Sequence, residues 1–230
     1  MANAGTAQKA RSSVDRIVER LYDDIRHMRL LPGTRISETD IAAQFGVSRQ
    51  PVRDAFNRLA NMDLIIVRPK KATEVKKFSV AAIERSRFVR ASVEKEVLRL
   101  AAQRCTEADG FLLDSCISLQ HKAMSEGDNA GFTQLDYEFH KTLCDIARVP
   151  YAFDVIRGEK EKVDRLCMLQ LSKENRMPQL VEDHEAIAEA VKAGDPEAAA
   201  AAGATHLSRL DDTIAAIRIT SAAYFDDSED

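Results

Sequence analysis

Asp136 and His140 stand four residues apart in the stretch LDYEFH, and residues at that spacing in a helix lie one above the other on one face. A carboxylate oxygen beside an imidazole nitrogen suits a divalent metal ion, zinc first, with nickel, cobalt and manganese accommodated by the same donors. His184 precedes the GDP turn at 194–196 by about ten residues, and His206 follows it by about ten. Two antiparallel helices leaving a short turn, each rising ~1.5 Å per residue, bring these imidazoles to one level, ~15 Å from the turn. Three imidazoles and one carboxylate can then converge. With no thiolate to close the shell, water or a small anion could take the remaining positions. A plainer reading stands beside it, in which the DxxxH pair is a hydrogen-bonded pair in the core. Cys144, one turn beyond His140, is either a fifth ligand or a packed thiol.

Such a set needs several helices to carry it, and the chain supplies them. From about residue 80 the pattern is continuously helical, with candidate helices over about 81–105, 108–127, 129–147, 151–171, 177–193 and 196–219. Gly110, GDN at 127–129, VPY at 149–151 and the GDP turn mark the breaks. This spacing predicts an antiparallel all-α bundle of six or seven helices over 79–220, followed by an acidic, frayed tail at 221–230.

The preceding segment reads differently. A chain of 230 residues exceeds the ~150 usual for one domain. Its charge divides near residue 78, with 15 Lys and Arg against 9 Asp and Glu before the cut, and 18 against 28 after it. A basic module joined to an acidic one suits a nucleic-acid partner for the first part. No run reaches the ~20 apolar residues of a membrane-spanning helix. Residues 1–12 lack the apolar centre of a secretion signal and read as a disordered tail. The four cysteines form no CxxC pair, so they are expected to be reduced thiols in a cytoplasmic protein.

Within 13–78, Val14, Ile17, Val18, Leu21, Ile25 and Met28 recur at helical spacing up to the LPG turn, with Ser13 as the expected cap. Ser37 can cap a short helix that ends at Gly46. Ser48 can cap the next, where Pro51 is tolerated in the first turn. Two short helices joined by a glycine turn form a helix-turn-helix whose second helix lies in the major groove. Arg49, Arg53 and Arg58 are distributed along it. LIIVRPKKATEV then reads as two strands with a basic tip, a wing whose cations reach phosphates.

GVSRQPVRDAFNRLANMDLI resembles the winged-helix signature of the GntR transcription regulators over about residues 14–78. The resemblance implies operator contacts by Ser48, Arg49, Pro51 and Arg53, with Lys70 and Lys71 at the wing tip. Ala72 stands where this family commonly carries glycine, so the tip is expected to differ in shape. Over about 80–220, Asp136, FH at 139–140, HEAI at 184–187 before the GDP turn, and His206 resemble the metal-binding FCD domain of FadR-type GntR regulators. That resemblance implies a divalent metal held by Asp136, His140, His184 and His206, which binds a small carboxylate or sugar-acid effector. RASVE at 90–94 is similar to the segment opening that domain. Arg90 and Glu94 could pair on an exposed face, or the Arg90 guanidinium could clamp an effector carboxylate.

The function expected is that of a homodimeric regulator, probing half-sites about one helical turn apart, whose repression is relieved by effector. Constitutive DNA binding with a structural metal is the alternative. A metal-dependent hydrolase fits less well, because Glu182, Asp183 and Glu185 are expected to point away from the face of His184.

Overall fold

A computed structural model describes residues 12–68, 71–167 and 176–226. The chain divides into two compact units, one running to Phe78 and taking in Ala223–Asp226, the other holding Ser79–Ala222.

In the first unit, α1 (Ser13–Arg26) is capped by Ser12, whose hydroxyl accepts the Asp15 N–H at 3.1 Å, one residue earlier than the sequence suggests. Ile17, Val18, Leu21 and Ile25 are buried along it. Met28 turns the chain at φ 57°, so the helix stops short of Leu30. Gly33, at φ 82°, leads into β1 (Arg35–Ile36), a strand too short to show a period in sequence. Ser37 accepts the N–H groups of Thr39 and Asp40 at the start of α2 (Glu38–Phe45). Gly46 ends that helix in the left-handed region, φ 63°, which glycine adopts at little cost. Helix α3 (Arg49–Asn61) buries Val52, Ala55, Phe56 and Leu59 against α1.

The wing is β2 (Ile65–Ile66) and β3 (Thr73–Val75). It is reinforced by β1, in the order β1-β3-β2 with both pairs antiparallel. Ile36 faces Thr73, and Ile65 faces Val75, which places the buried side chains of all three strands on one core.

The second unit holds seven helices among the described residues: α4 (Val80–Arg104), α5 (Glu107–Glu126), α6 (Asn129–Ile146), α7 (Ala152–Cys167), α8 (Met177–Lys192), α9 (Pro196–Ser208) and α10 (Leu210–Thr220). Their starts follow from capping side chains: Ser79 for α4, Asp128 for α6, and Asp195 ahead of Pro196 for α9. Gly110 is not a break. It is buried inside α5, where the Lys192 side chain passes within 3.5 Å of where a Cβ would sit. The interruption falls instead at Thr106, which forms a reciprocal capping box with Asp109. The segment expected as one helix over 196–219 is two, jointed at Arg209 with no glycine or proline to signal it. The end expected for α7, at residue 171, lies outside the described residues.

Helix α4 runs through the middle, packed on α6, α7, α8 and α9. Leu98, Ala101, Leu113, Phe139, Leu143, Ile156, Ile187 and Val191 form the core around it. No described helix is long and apolar enough to cross a membrane.

The described part of the tail is not loose. After a 3-10 turn at Ala222–Tyr224, Phe225 forms a parallel bridge with Phe78. The Phe78 N–H donates to Tyr224 O, and the Asp226 N–H donates to Phe78 O, each at 2.9 Å. The two rings, both buried, lie 5.7 Å apart.

Gly203 on α9 meets α4 so closely that an added Cβ would overlap Leu98 Cδ1. Gly203→Ala is expected to destabilise the protein by about 1–3 kcal/mol through overpacking. Urea denaturation should show a lower midpoint with an unchanged slope; an unshifted midpoint would mean the two helices separate freely.

Candidate functional site

Helix periodicity brings Asp136 and His140 to one face of α6, and the Gly194 turn sets His184 on α8 beside His206 on α9. All four are buried. One ring nitrogen of each histidine lies within 4.8 Å of one in each of the other two. The ring centroids are 4.8 Å apart for His184 and His206, and 5.5 Å for His140 and His206. Asp136 Oδ1 lies 3.5 Å from His184 Nε2. All four sequence-predicted ligands are therefore together.

Two of the imidazoles are held from behind by side chains of other helices, and the third faces a carboxylate at longer range. His140 Nδ1 lies 3.1 Å from Glu94 Oε2 on α4. His184 Nδ1 lies 2.8 Å from Gln120 Oε1 on α5. His206 Nδ1 lies 3.7 Å from Asp183 Oδ2, beyond hydrogen-bond reach. An oxygen behind Nδ1 fixes the ring and leaves Nε2 as the donor, the arrangement that metal-ligating histidines use. The Nε2 atoms of His140 and His184 are buried and have no hydrogen-bond partner. Buried polar atoms are rarely left so, and three imidazoles with a carboxylate are a donor set that a divalent ion completes.

Electrostatics favour the ligating forms. Burial, reinforced by His206, pushes His184 well below the ordinary imidazole range, so its lone pair is available at neutral pH. Burial also lowers His206, with Asp183 opposing. For Asp136, burial acts upward, but the Lys160 ammonium overcomes it and holds the carboxyl far below the usual range. Glu94 behaves alike, kept ionised against burial by Arg90 and His140.

Lys160 escaped sequence reasoning. Its Nζ lies 2.8 Å from Asp136 Oδ2, 2.8 Å from Asp164 Oδ2 and 4.6 Å from the centre of the Tyr137 ring. The Tyr137 hydroxyl donates to Asp164 at 2.9 Å. In sequence, Lys160 and Asp164 look like an ordinary exposed i, i+4 pair; the burial of Lys160 follows only from how α7 packs. Gln120 and Asp183 were missed for the same reason. Asp183, expected to face away, backs His206. Glu185 is exposed and bonds His121 at 2.6 Å.

A cavity of about 70 Å³ opens beside the histidines, lined by Arg90, Asp136, Lys160, Asp164 and His206 among others. Arg90 and Glu94 are not on an exposed face: both are buried, with Arg90 Nε donating to Glu94 Oε1 at 2.8 Å. Arg90 thus both pairs with Glu94 and lines the cavity. Cys144 is fully buried against the core, and burial pushes its thiol up to about 12, as befits a packed thiol.

In the first unit, Arg49 and Arg53 converge on Glu38 of α2. Arg49 Nη2 is 2.8 Å and Arg53 Nε 3.0 Å from Glu38 Oε2. Ser48 stands at the N-cap of α3, exposed, with no capping bond from its hydroxyl, and Pro51 lies in the first turn. Arg58, nine residues beyond Arg49, is half a turn out of phase and pairs with Asp15 of α1 at 2.6 Å. Lys71 is exposed; Lys70 lies outside the described residues.

Residues 13–75 match the model of the bacterial regulatory proteins of the gntR family, and residues 87–209 match the FCD domain. The chain is 33% identical over 218 residues to the HTH-type transcriptional repressor RspR of Escherichia coli strain K12, across 95% of this chain and 94% of that one. Among solved structures, E. coli McbR/YncC gives a TM-score of 0.68 at 20% identity, over 91% of this chain and 99% of its own. A GntR-type regulator from Rhodococcus sp. RHA1 gives 0.67 at 22%, over 92% and 99%. These two share the fold. The chain therefore belongs to the GntR family, with an FCD domain as its C-terminal part, and is a transcription regulator rather than an enzyme.

Proposed function

We propose that this regulator is a homodimeric repressor whose grip on operator DNA is controlled by a small carboxylate effector bound at a metal in the helical unit. The observation that carries the reading is the pair of buried, partnerless Nε2 atoms on His140 and His184, set beside a cavity that Arg90 and Lys160 line. Asp136, His140, His184 and His206 would hold the ion, with zinc favoured and nickel, cobalt or manganese also suited to these donors. When bound, the ion supplies a Lewis-acidic position for a carboxylate oxygen. The chain's own part is to orient the ligands: Glu94 and Gln120 fix two rings, and Lys160 holds one Asp136 oxygen while the other faces His184. Arg90 is the cation that receives the effector carboxylate.

On the DNA side, Ser48, Arg49, Pro51 and Arg53 form the contact face, joined by Lys70 and Lys71 at the wing. Arg58 points elsewhere on α3 and is left as a flanking phosphate contact. Glu38 gathers Arg49 and Arg53 in the free protein, and phosphates or base edges would compete for both. The effector's influence reaches the winged unit through Lys76–Ser79, where the tail grips the Phe78 backbone.

Elemental mass spectrometry is expected to find near one metal per chain in the protein and almost none in a His140→Ala, His184→Ala double variant. Equal metal in both would remove the site assignment. In operator titrations, Arg53→Ala is expected to cost about 1–3 kcal/mol and relax base preference, whereas Lys71→Ala should mainly reduce the salt slope. Equal losses on every sequence would make Arg53 a phosphate contact only. Coupling between effector and DNA must be reciprocal. Saturating operator should therefore weaken effector binding by the same factor by which effector weakens operator binding, and effector affinity unchanged by DNA would leave constitutive binding with a structural metal.

A further inference from the structure

Asp183 stands between two donors and fully satisfies neither. Its Oδ2 faces His206 Nδ1 at 3.7 Å, and both atoms are buried without a hydrogen-bond partner. Its Oδ1 accepts from Arg209 Nη2 at 3.4 Å, which is long for a hydrogen bond. Buried polar atoms are rarely left in this state. A carboxylate that closes on His206 either draws the Arg209 guanidinium with it or lets it go.

Arg209 is also where α9 ends and α10 begins. The first residue of α10, Leu210, lines the cavity, and Asp211 pairs with Arg87 of α4. Further along, Ile217 is fully buried, and the helix packs on α7, which carries Lys160 and Asp164. Eleven residues of helix span roughly 16 Å. At the far end the Ser221 N–H donates to Ile217 O at 2.8 Å, and the 3-10 turn at Ala222–Tyr224 leads without slack into the bridge on Phe78. Among the described residues the chain passes between the two units twice, at Phe78–Ser79 and at Ala222–Ala223. The second passage is fastened to the first by both backbone bonds of Phe78 and by the packed rings of Phe78 and Phe225.

We infer that α10 and the Phe225 bridge form a strap that carries the state of the metal site to the linker of the winged unit, with Arg209 as its joint. This rests on the metal reading above. An ion on the other ring nitrogen of His206 fixes the proton on Nδ1, the state in which a carboxylate closes as its hydrogen-bond partner. Asp183 then resets α10 at Arg209, and the bridge passes the change to Phe78.

The test is hydrogen exchange read by mass spectrometry, comparing the full-length protein stripped of metal with the same protein reconstituted with zinc. Peptides holding the Phe78 and Asp226 amides, both donors in the bridge, report how often it opens. Zinc should slow exchange there about fivefold, the lower end of ordinary coupling between linked sites, and should also slow the helices that carry the three histidines. Arg209→Ala should bind zinc at the wild-type level, keep the second effect and lose the first. Phe225→Ala, which leaves the joint alone, should make exchange at Phe78 fast and indifferent to zinc. Exchange at Phe78 untouched by zinc in the wild type, or slowing there that survives in either variant, overturns the strap; if zinc still binds, the metal reading stands. No zinc bound overturns both.

Discussion

Six helices of the C-terminal unit turn charged, amide or imidazole side chains into one buried space, and taking those groups out of water is the constraint that organises the unit. Glu94 comes from α4, Gln120 from α5, Asp136 and His140 from α6, Lys160 from α7, His184 from α8 and His206 from α9. An isolated buried charge costs several kcal/mol, and losing one partner of a pair leaves the other uncompensated. The pairs Arg90 with Glu94 and Lys160 with Asp136 and Asp164 meet that demand. They do so only if α4, α6 and α7 hold their rotations about their own axes. The apolar core formed by Leu98, Phe139 and Ile156 fixes these rotations, so packing and polar satisfaction impose one arrangement.

The winged unit manages charge differently. Its basic face is exposed, and Glu38 at the first turn of α2 sits under both Arg49 and Arg53. Such surface pairs contribute little stability. Their consequence is geometric, since the two guanidinium groups are gathered on the same side of α3 before any phosphate arrives. Arg58 is held away by Asp15. The phase of the helix thus separates three arginines that look equivalent in the sequence.

What was legible in the sequence was whatever depends on period and local turn chemistry. Asp136 with His140 follows from the 3.6-residue repeat, and His184 with His206 follows from equal distances to the Gly194 turn. Ser37, Gly46 and the wing residues announced the helix-turn-helix and its strands because each acts on its immediate neighbours. Lys160, Gln120 and Asp183 were not legible, because a polar residue on a helix declares its burial only once the neighbouring helix is placed. Gly110 misled, since a glycine permits close approach as readily as it breaks a helix. The joint at Arg209 carries no marker residue, and β1 is only two residues long.

Lys160 ties the two halves of the proposed site together. Its ammonium holds Asp136 Oδ2 and Asp164, and it also lines the cavity where an effector carboxylate would lie. Under the proposal, a ligand engaging this ammonium would weaken its hold on Asp136, and an ion drawing on Asp136 would free the ammonium for the ligand. Occupancy of the two positions is then linked through one atom, and the linkage has the same magnitude from either side. Couplings between linked sites typically amount to about 1–3 kcal/mol.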